Sequence, residues 1–405
     1  MEVYLPLVLD GATGTELQKA GFTGEVCAEQ WLLDCPDPIL ELQSRYVAAG
    51  SDVIYTPTFG GNRVKLEENG IFNRTAEVNR RLALLSRQAA GEKALVAGDI
   101  APTGLFVTPL GNVTFDELVE AYEEQVTGLE EAGVDLFVIE TMMTLSDARA
   151  ALTAVRKHSS KPVIVSFTCD ENGRTLTGGD AEAALVVMQS MGADVFGLNC
   201  SVGPKDLVAP LERLSRYASI PLAAKPNAGK PEIRDGKTVY DCDPEEFRES
   251  VPRYAACGVQ LFGGCCGTDE RYIRTIREAL EGLEMKDPDP KVKDKLLCAT
   301  EKHVFEIDPS EKCGRILDVT GDLADELEKE NEGESSFISV RLRSMADAEA
   351  LTDCMYDMDK PLCIVCEDPE VLERMLRNYQ GRALYDGGIG EEILERMSEK
   401  YGLIW

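Results

Sequence analysis

Histidine is nearly missing from this chain, with two residues in 405. One, His158, lies beside Lys157 in a helix-like stretch, and the other, His303, sits far downstream. Histidine is the commonest general base and metal ligand, so a metal site here has to draw on thiols and carboxylates. Positive charge is scarce as well: 42 Lys and Arg face 72 Asp and Glu, a formal net charge of −30. Nucleic-acid phosphates and anionic membrane surfaces reward clusters of Lys and Arg, so neither is an expected partner. The acidic excess reads first as a source of solubility. No apolar run approaches the roughly 18 residues of a membrane-spanning helix. No charged stub followed by an apolar stretch opens the sequence either, so an export leader is not expected. The first glycine-rich turn, Gly11 to Thr15, is not followed by Gly-Lys-Ser/Thr. Phosphate cradling is therefore excluded there.

Cysteine, by contrast, is plentiful, with 13 residues spread along the chain. In a large protein without an export signal, that pattern fits a reducing compartment rather than a disulfide framework, and a cytoplasmic location is expected. The adjacent Cys265 and Cys266 would make a strained disulfide and are better suited to binding a metal.

Short β-branched runs alternate with longer amphipathic segments through residue 285 or so. Eight strands can be marked: Leu7 to Asp10, Asp52 to Thr56, Ala94 to Ile100, Asp135 to Thr141, Pro162 to Thr168, Ala193 to Asn199, Ile220 to Pro226 and Val259 to Gly264. Eight βα units in about 250 residues predict an α/β fold of the (β/α)8 TIM-barrel type. The polar, proline-containing stretch from Glu284 to Lys291 then reads as a linker. It separates a barrel domain over 1–285 from a small C-terminal α/β domain over 286–405. In that second unit strands are expected at Leu296 to Ile307, Ser336 to Leu342, Pro361 to Glu367 and Arg382 to Tyr385, and helices at Met345 to Met358 and Glu370 to Tyr379. The acidic segment Asp322 to Glu334 reads as a solvated helix face.

Active sites of such barrels gather at the carboxyl ends of the strands. That rule retains Asp10, Thr56, Thr58, Glu140, Cys200, Asn227, Cys265 and Cys266. Consecutive residues in a strand point to opposite faces, so Cys265 and Cys266 can share one ion only where the chain leaves the pleat, which Gly263, Gly264 and Gly267 permit. A lone strand-end cysteine is more often a small buried residue. Three converging ones suit a tetrahedral zinc ion with an open fourth position. Asp10 and Glu140, ending apolar strands, form a pair suited to a ligand ammonium, and the turn at Gly11 offers N–H groups to a carboxylate. Read singly, Asp10 could equally be a helix N-cap and Glu140 a partner in an internal salt bridge.

These residues stand in phrases that resemble the homocysteine S-methyltransferase family, and within it the homocysteine-binding module of cobalamin-dependent methionine synthase. The phrases are Asp10-Gly11-Ala12-Thr13-Gly14-Thr15, Thr56-Pro57-Thr58-Phe59-Gly60, Thr114-Phe115-Asp116-Glu117-Leu118, Gly173 to Gly179, Phe196 to Pro204, Pro226-Asn227-Ala228-Gly229 and Gly263 to Thr268. The resemblance implies zinc on Cys200, Cys265 and Cys266, and homocysteine contacts from Asp10, Gly11, Thr56 and Glu140, with Asn199 beside the first cysteine. It also implies a zinc-dependent methyl transfer to homocysteine, giving methionine. A free thiol with a pKa near 8.5 is mostly protonated at neutral pH, whereas a zinc-bound thiol is not. Thr58 to Gly61 is more similar to the cobalamin-dependent type, so the expected donor is methylcobalamin held by a separate corrinoid protein. Betaine, S-methylmethionine, methylfolate, another small thiol, or a non-catalytic metal-binding subunit are the alternatives. The 120 residues after 285 are too few for a pterin barrel, and their faint similarity to part of one lacks its folate signatures. They read as a relic of that module or as a partner-docking unit. No corrinoid-binding Asp-x-His-x-x-Gly motif occurs.

Overall fold

A computed structural model describes residues 5–108, 110–234 and 237–405. Eight parallel strands form one sheet: β1 (Leu7–Val8), β2 (Val53–Tyr55), β3 (Leu95–Ile100), β4 (Leu136–Met142), β5 (Val163–Phe167), β6 (Val195–Asn199), β7 (Leu222–Lys225) and β8 (Val259–Phe262). Their order, β1-β8-β7-β6-β5-β4-β3-β2, is that of a barrel opened at one seam. Every barrel strand expected from the sequence is present, most of them shorter by a residue or two at their ends, while β4 runs one residue further, to Met142. At the seam Asp52 N–H donates to Val8 O and Val8 N–H to Asp52 Oδ2, which draws β1 against β2. The protein is a (β/α)8 barrel carrying a smaller C-terminal α/β unit.

Strand periodicity divides the apolar side chains into two shells. Leu7, Leu9, Val53, Tyr55, Ala97, Leu136, Val138, Ile164, Ala223 and Leu261 pack together inside the barrel. Their neighbours Val8, Ile54, Val96, Phe137, Ile139, Val165, Phe196, Leu222 and Phe262 face the surrounding helices. Those helices begin where the sequence supplies caps. In Phe115–Glu131, Thr114 and Glu117 form a reciprocal capping box, and in Leu145–His158 the Thr144 hydroxyl accepts Asp147 N–H.

Beyond the barrel, the segment expected as one strand from Leu296 to Ile307 is instead a hairpin, β9 (Leu296–Ala299) against β10 (Val304–Ile307). The turn arises at Thr300, whose hydroxyl accepts the N–H groups of Lys302 and His303. A four-stranded parallel sheet follows: β11 (Ile316–Asp318), β12 (Ile338–Leu342), β13 (Leu362–Cys366) and β14 (Leu384–Tyr385). The three-residue β11 and the helix Glu391–Tyr401 escaped sequence reading. The acidic segment is a helix, Leu323–Asn331, that buries Leu323 and Leu327. Helices Met345–Cys354 and Pro369–Asn378 lie where expected.

The two units are joined by a buried cation. Arg149, on the barrel helix Leu145–His158, is 1% exposed. Its guanidinium donates to Leu376 O at 2.6 Å, to Arg377 O at 3.2 Å and to Gln380 Oε1 at 3.1 Å, supplying donors to carbonyls at the end of helix Pro369–Asn378. It also lies over the Phe115 ring. A boundary near residue 285 remains our proposal. The stretch there has no regular element and lies along the barrel, with Gln260 Nε2 donating to Lys286 O and Lys291 N–H to Arg216 O.

Arg149→Met leaves these acceptors buried without donors, and we expect a loss of about 2–4 kcal/mol in denaturant unfolding. Faster limited proteolysis between 284 and 295 is expected alongside it. Unchanged stability and an unchanged cleavage rate would show that Arg149 does not join the units.

Candidate active site

The inward positions of the strands turn from apolar to polar in the last layer before the mouth. Continuing the inside series of each strand leads from Ala97 to Asp99, from Val138 to Glu140, from Val195 to Asn199 and from Ala223 to Lys225. A cavity of about 440 Å³ opens above this layer, bordered by Asp10, Thr56, Asp99, Glu140, Lys225 and the three thiols. Leu17, Phe22 and Leu32 give it an apolar side.

Cys200, Cys265 and Cys266 bring their Sγ atoms within 4.8 Å of one another. Backbone hydrogen bonds to the end of β7 set this convergence: Cys200 N–H donates to Lys225 O, Cys265 N–H to Pro226 O, and Ala228 N–H to Cys266 O. Cys200 leaves β6 with φ = 65°, a left-handed conformation costly for a residue with a Cβ. Gly267 stands at φ = 82°, where a side chain would strike the Tyr240 ring. The thiols perturb one another. Hydrogen bonds from Cys200 and Cys265, joined by Tyr240, pull Cys266 below the usual thiol range, whereas its contacts with Cys200 and Cys266 push Cys265 well above it. Three half-buried thiols at this spacing, facing a cavity and with no histidine or carboxylate completing the set among the described residues, fit a thiophilic tetrahedral ion with one free position.

The other expected residues divide. Asp10, Gly11, Thr56 and Glu140 border the cavity with the thiols. Asn199 is 2% exposed and does not border it. Its amide instead braces the layer, donating to Glu140 Oε2 at 3.2 Å and Thr141 Oγ1 at 2.7 Å and accepting from Ser166 Oγ and Thr141 N–H. Thr58 and Asn227 are buried and lie off the cavity. Asp10 caps no helix: its Oδ2 accepts Tyr55 N–H at 2.8 Å and its Oδ1 the Lys225 ammonium at 2.7 Å. Thr56 Oγ1 accepts Asp99 N–H, and because Thr58 donates its own proton to Asp99 O, Thr56 is the donor in the Thr56–Thr58 pair.

Lys225, Asp99 and Tyr240 were not foreseen. Selecting residues just past each strand misses the last inward residue within it, though the inside series would have found both Lys225 and Asp99. Tyr240 comes from the long loop after β7 and carries no local signal. Burial raises the Asp99 carboxyl far above its usual range, with Glu140 adding to the shift. Glu140 is pushed up to about 7 by burial, which Lys225 opposes while Asp10 and Cys200 contribute. Burial works against the Lys225 charge, but Asp10, Tyr55, Glu140 and Cys265 together outweigh it and hold the ammonium above the ordinary lysine range.

Together these features define a TIM barrel with a three-thiol centre at its mouth, opening onto an acidic pocket. A family model described as homocysteine S-methyltransferase matches residues 7–280, and the chain belongs to that family. It is 33% identical over 292 residues to a methionine synthase of Mycobacterium leprae (strain TN), covering 68% of this chain and 24% of that protein. With a methionine synthase of Mycobacterium tuberculosis (strain ATCC 25618 / H37Rv) it shares 32% identity over 296 residues, 69% of this chain and 25% of the other. The chain thus spans about a quarter of the length of these relatives. In fold it is similar to the homocysteine methyltransferase MmuM from Escherichia coli. The metallated form gives a TM-score of 0.57 at 21% identity and the oxidized form 0.56 at 22%, each covering 67% of this chain and 95% of the other.

The raised Glu140 value predicts a pH signature. Between the ordinary carboxyl value of 4.5 and about 7 the folded protein holds a proton that the unfolded chain has released, so wild-type stability falls as pH rises through this window. A neutral amide has no such cost. In denaturant unfolding, Glu140→Gln should match the wild type in stability at pH 5 and exceed it at pH 8 by up to about 3 kcal/mol. A gap that stays constant from pH 5 to 8 would refute the assignment.

Proposed function

We propose that this chain is a zinc-dependent S-methyltransferase that methylates the thiol of homocysteine to give methionine. The observation that carries the reading is the three thiols gathered at the edge of a pocket whose wall also holds Glu140 and Asp10. Cys200, Cys265 and Cys266 would hold the zinc, whose Lewis acidity would keep the substrate thiol deprotonated near neutral pH. Glu140 would present negative charge to the substrate ammonium, and the backbone at Gly11 would face its carboxylate, with Asp10 and Thr56 beside them. Asn199 would hold Glu140 in place. The apolar side formed by Leu17, Phe22 and Leu32 would exclude water from the reacting sulfur. In the transfer, a sulfur–carbon bond forms to the methyl group as the bond from methyl to donor breaks, leaving its electron pair on the donor.

For the donor we propose a methylcorrinoid held by a separate protein. Phe59, Phe106 and Leu176 are exposed on the loops that follow β2, β3 and β5, with Phe59 bordering the cavity, and Ile233 is exposed on the short strand Glu232–Arg234 that follows β7. An apolar rim of this kind suits a protein-borne donor better than a small, freely diffusing one. The relatives' name, methionine synthase, supports methionine as the product. Thirteen free cysteines favour a reducing, cytoplasmic setting, and no helix among the described residues is long and apolar enough to cross a membrane.

Metal analysis of reduced protein should find one zinc per chain. Cys266→Ala should lose both the metal and at least ~100-fold in activity, whereas Cys35→Ala, at an exposed cysteine, should keep both. Zinc-free protein with full activity would overturn the reading. Side-by-side assays with methylcobalamin, betaine, S-methylmethionine and methylfolate should show turnover with the first. Turnover with another donor alone would remove the corrinoid proposal and leave the thiol chemistry standing. Failure of homocysteine to bind zinc-loaded protein would favour a non-catalytic subunit.

A further inference from the structure

Among the charged side chains of the described residues that border the cavity, Lys225 is the one cation; Asp10, Glu29, Asp99 and Glu140 are acids. It is 5% exposed, bonded to Asp10 at 2.7 Å and seated over the Tyr55 ring, with its nitrogen 3.6 Å from the centroid. Asp10 is engaged on both oxygens, by Lys225 on one and by Tyr55 N–H on the other. Glu140 has one partner, the Asn199 amide, on a single oxygen, and its remaining acceptor capacity faces the cavity. A buried pocket cannot hold several unbalanced charges. Glu29 accepts Gly60 N–H and burial keeps Asp99 protonated, so with Asp10 and Lys225 cancelling, Glu140 is the carboxylate left to match one further cation.

We propose that Lys225 is a positioning residue that sequesters Asp10, so that the ammonium of the amino-acid substrate is received by Glu140 alone. The inference rests on the homocysteine reading above and assigns a division of labour within it. Asp10 and Glu140 are not an equivalent pair: the first belongs to the barrel seam and the second to the substrate. Two competing acceptors would let the ammonium settle in two places and would move the thiol with it. A single acceptor fixes the distance between the ammonium and the three-thiol centre. Removing the Lys225 charge should release Asp10 as a second acceptor.

Calorimetry on zinc-loaded protein tests this with homocysteine and with 4-mercaptobutanoate, which lacks the amino group. In the wild type, homocysteine should bind about a hundredfold more tightly than the analogue, and Glu140→Gln should remove most of that preference. Lys225→Gln keeps an N–H donor for Asp10 but not the charge, so it tests the charge even where Lys225→Met does not fold. In the double variant Glu140→Gln/Lys225→Gln about tenfold of the preference should return, because the freed Asp10 accepts the ammonium. Lys225→Arg should behave as the wild type. A double variant no more selective than Glu140→Gln alone overturns the proposal. Absence of homocysteine binding by the wild type would instead overturn the homocysteine reading, a distinguishable result.

Discussion

Closing the barrel depends on a carboxylate standing in for backbone. β1 and β2 share no strand ladder, and beyond the bonds of Asp52 their seam is held at the mouth by Asp10, which accepts Tyr55 N–H from β2 while pairing with Lys225 on β7. One side chain thus ties together three strand ends from two sides of the barrel. The ion pair survives burial because both partners have their bonding capacity met, Asp10 by two donors and Lys225 by a carboxylate and an aromatic face. The geometry of the pocket floor rests on this junction, since Tyr55, Asp10 and Lys225 all border the cavity.

The barrel was readable because its physics is local and repeated. An apolar run such as Leu136 to Ile139, bounded by Asp135 and Glu140 and followed by a helical stripe, announces a strand wherever it occurs, and eight such units leave little choice of architecture. The thiols were readable for a related reason: glycines on both sides of Cys265 and Cys266 mark the place where the pleat ends. What escaped lies in relations between distant residues. Nothing near Lys225 names Asp10 as its partner, 215 positions away. Nothing near Asn199 shows that its amide is consumed by Glu140 and Thr141, which makes it a brace instead of a wall. The C-terminal unit was less legible because its signals are short: β11 spans three residues, and a single threonine hydroxyl turns what looks like one strand into a hairpin.

The C-terminal unit also shows how a barrel can carry an addition without disturbing its chemistry. Its anchor, Arg149, belongs to the helix after β4 and reaches carbonyls at the end of another helix, away from the residues that border the cavity. The Asp116–Arg377 ion pair lies on the same side. The unit also meets the loop after β5, where Asp180 N–H donates to Lys302 O and the Asp180 carboxylate pairs with His303.

The position of β8 has a consequence for the order of events during synthesis. It is the last barrel strand in sequence, yet in the sheet it lies between β7 and β1, and it is followed at once by Cys265 and Cys266. Until it is inserted, the strand made first has no neighbour on that side, and Cys200 waits alone for partners 65 and 66 residues downstream. Closure of the wall and assembly of the thiol centre are therefore a single step, so a nascent or incompletely folded chain cannot present the full thiol set to passing metal ions.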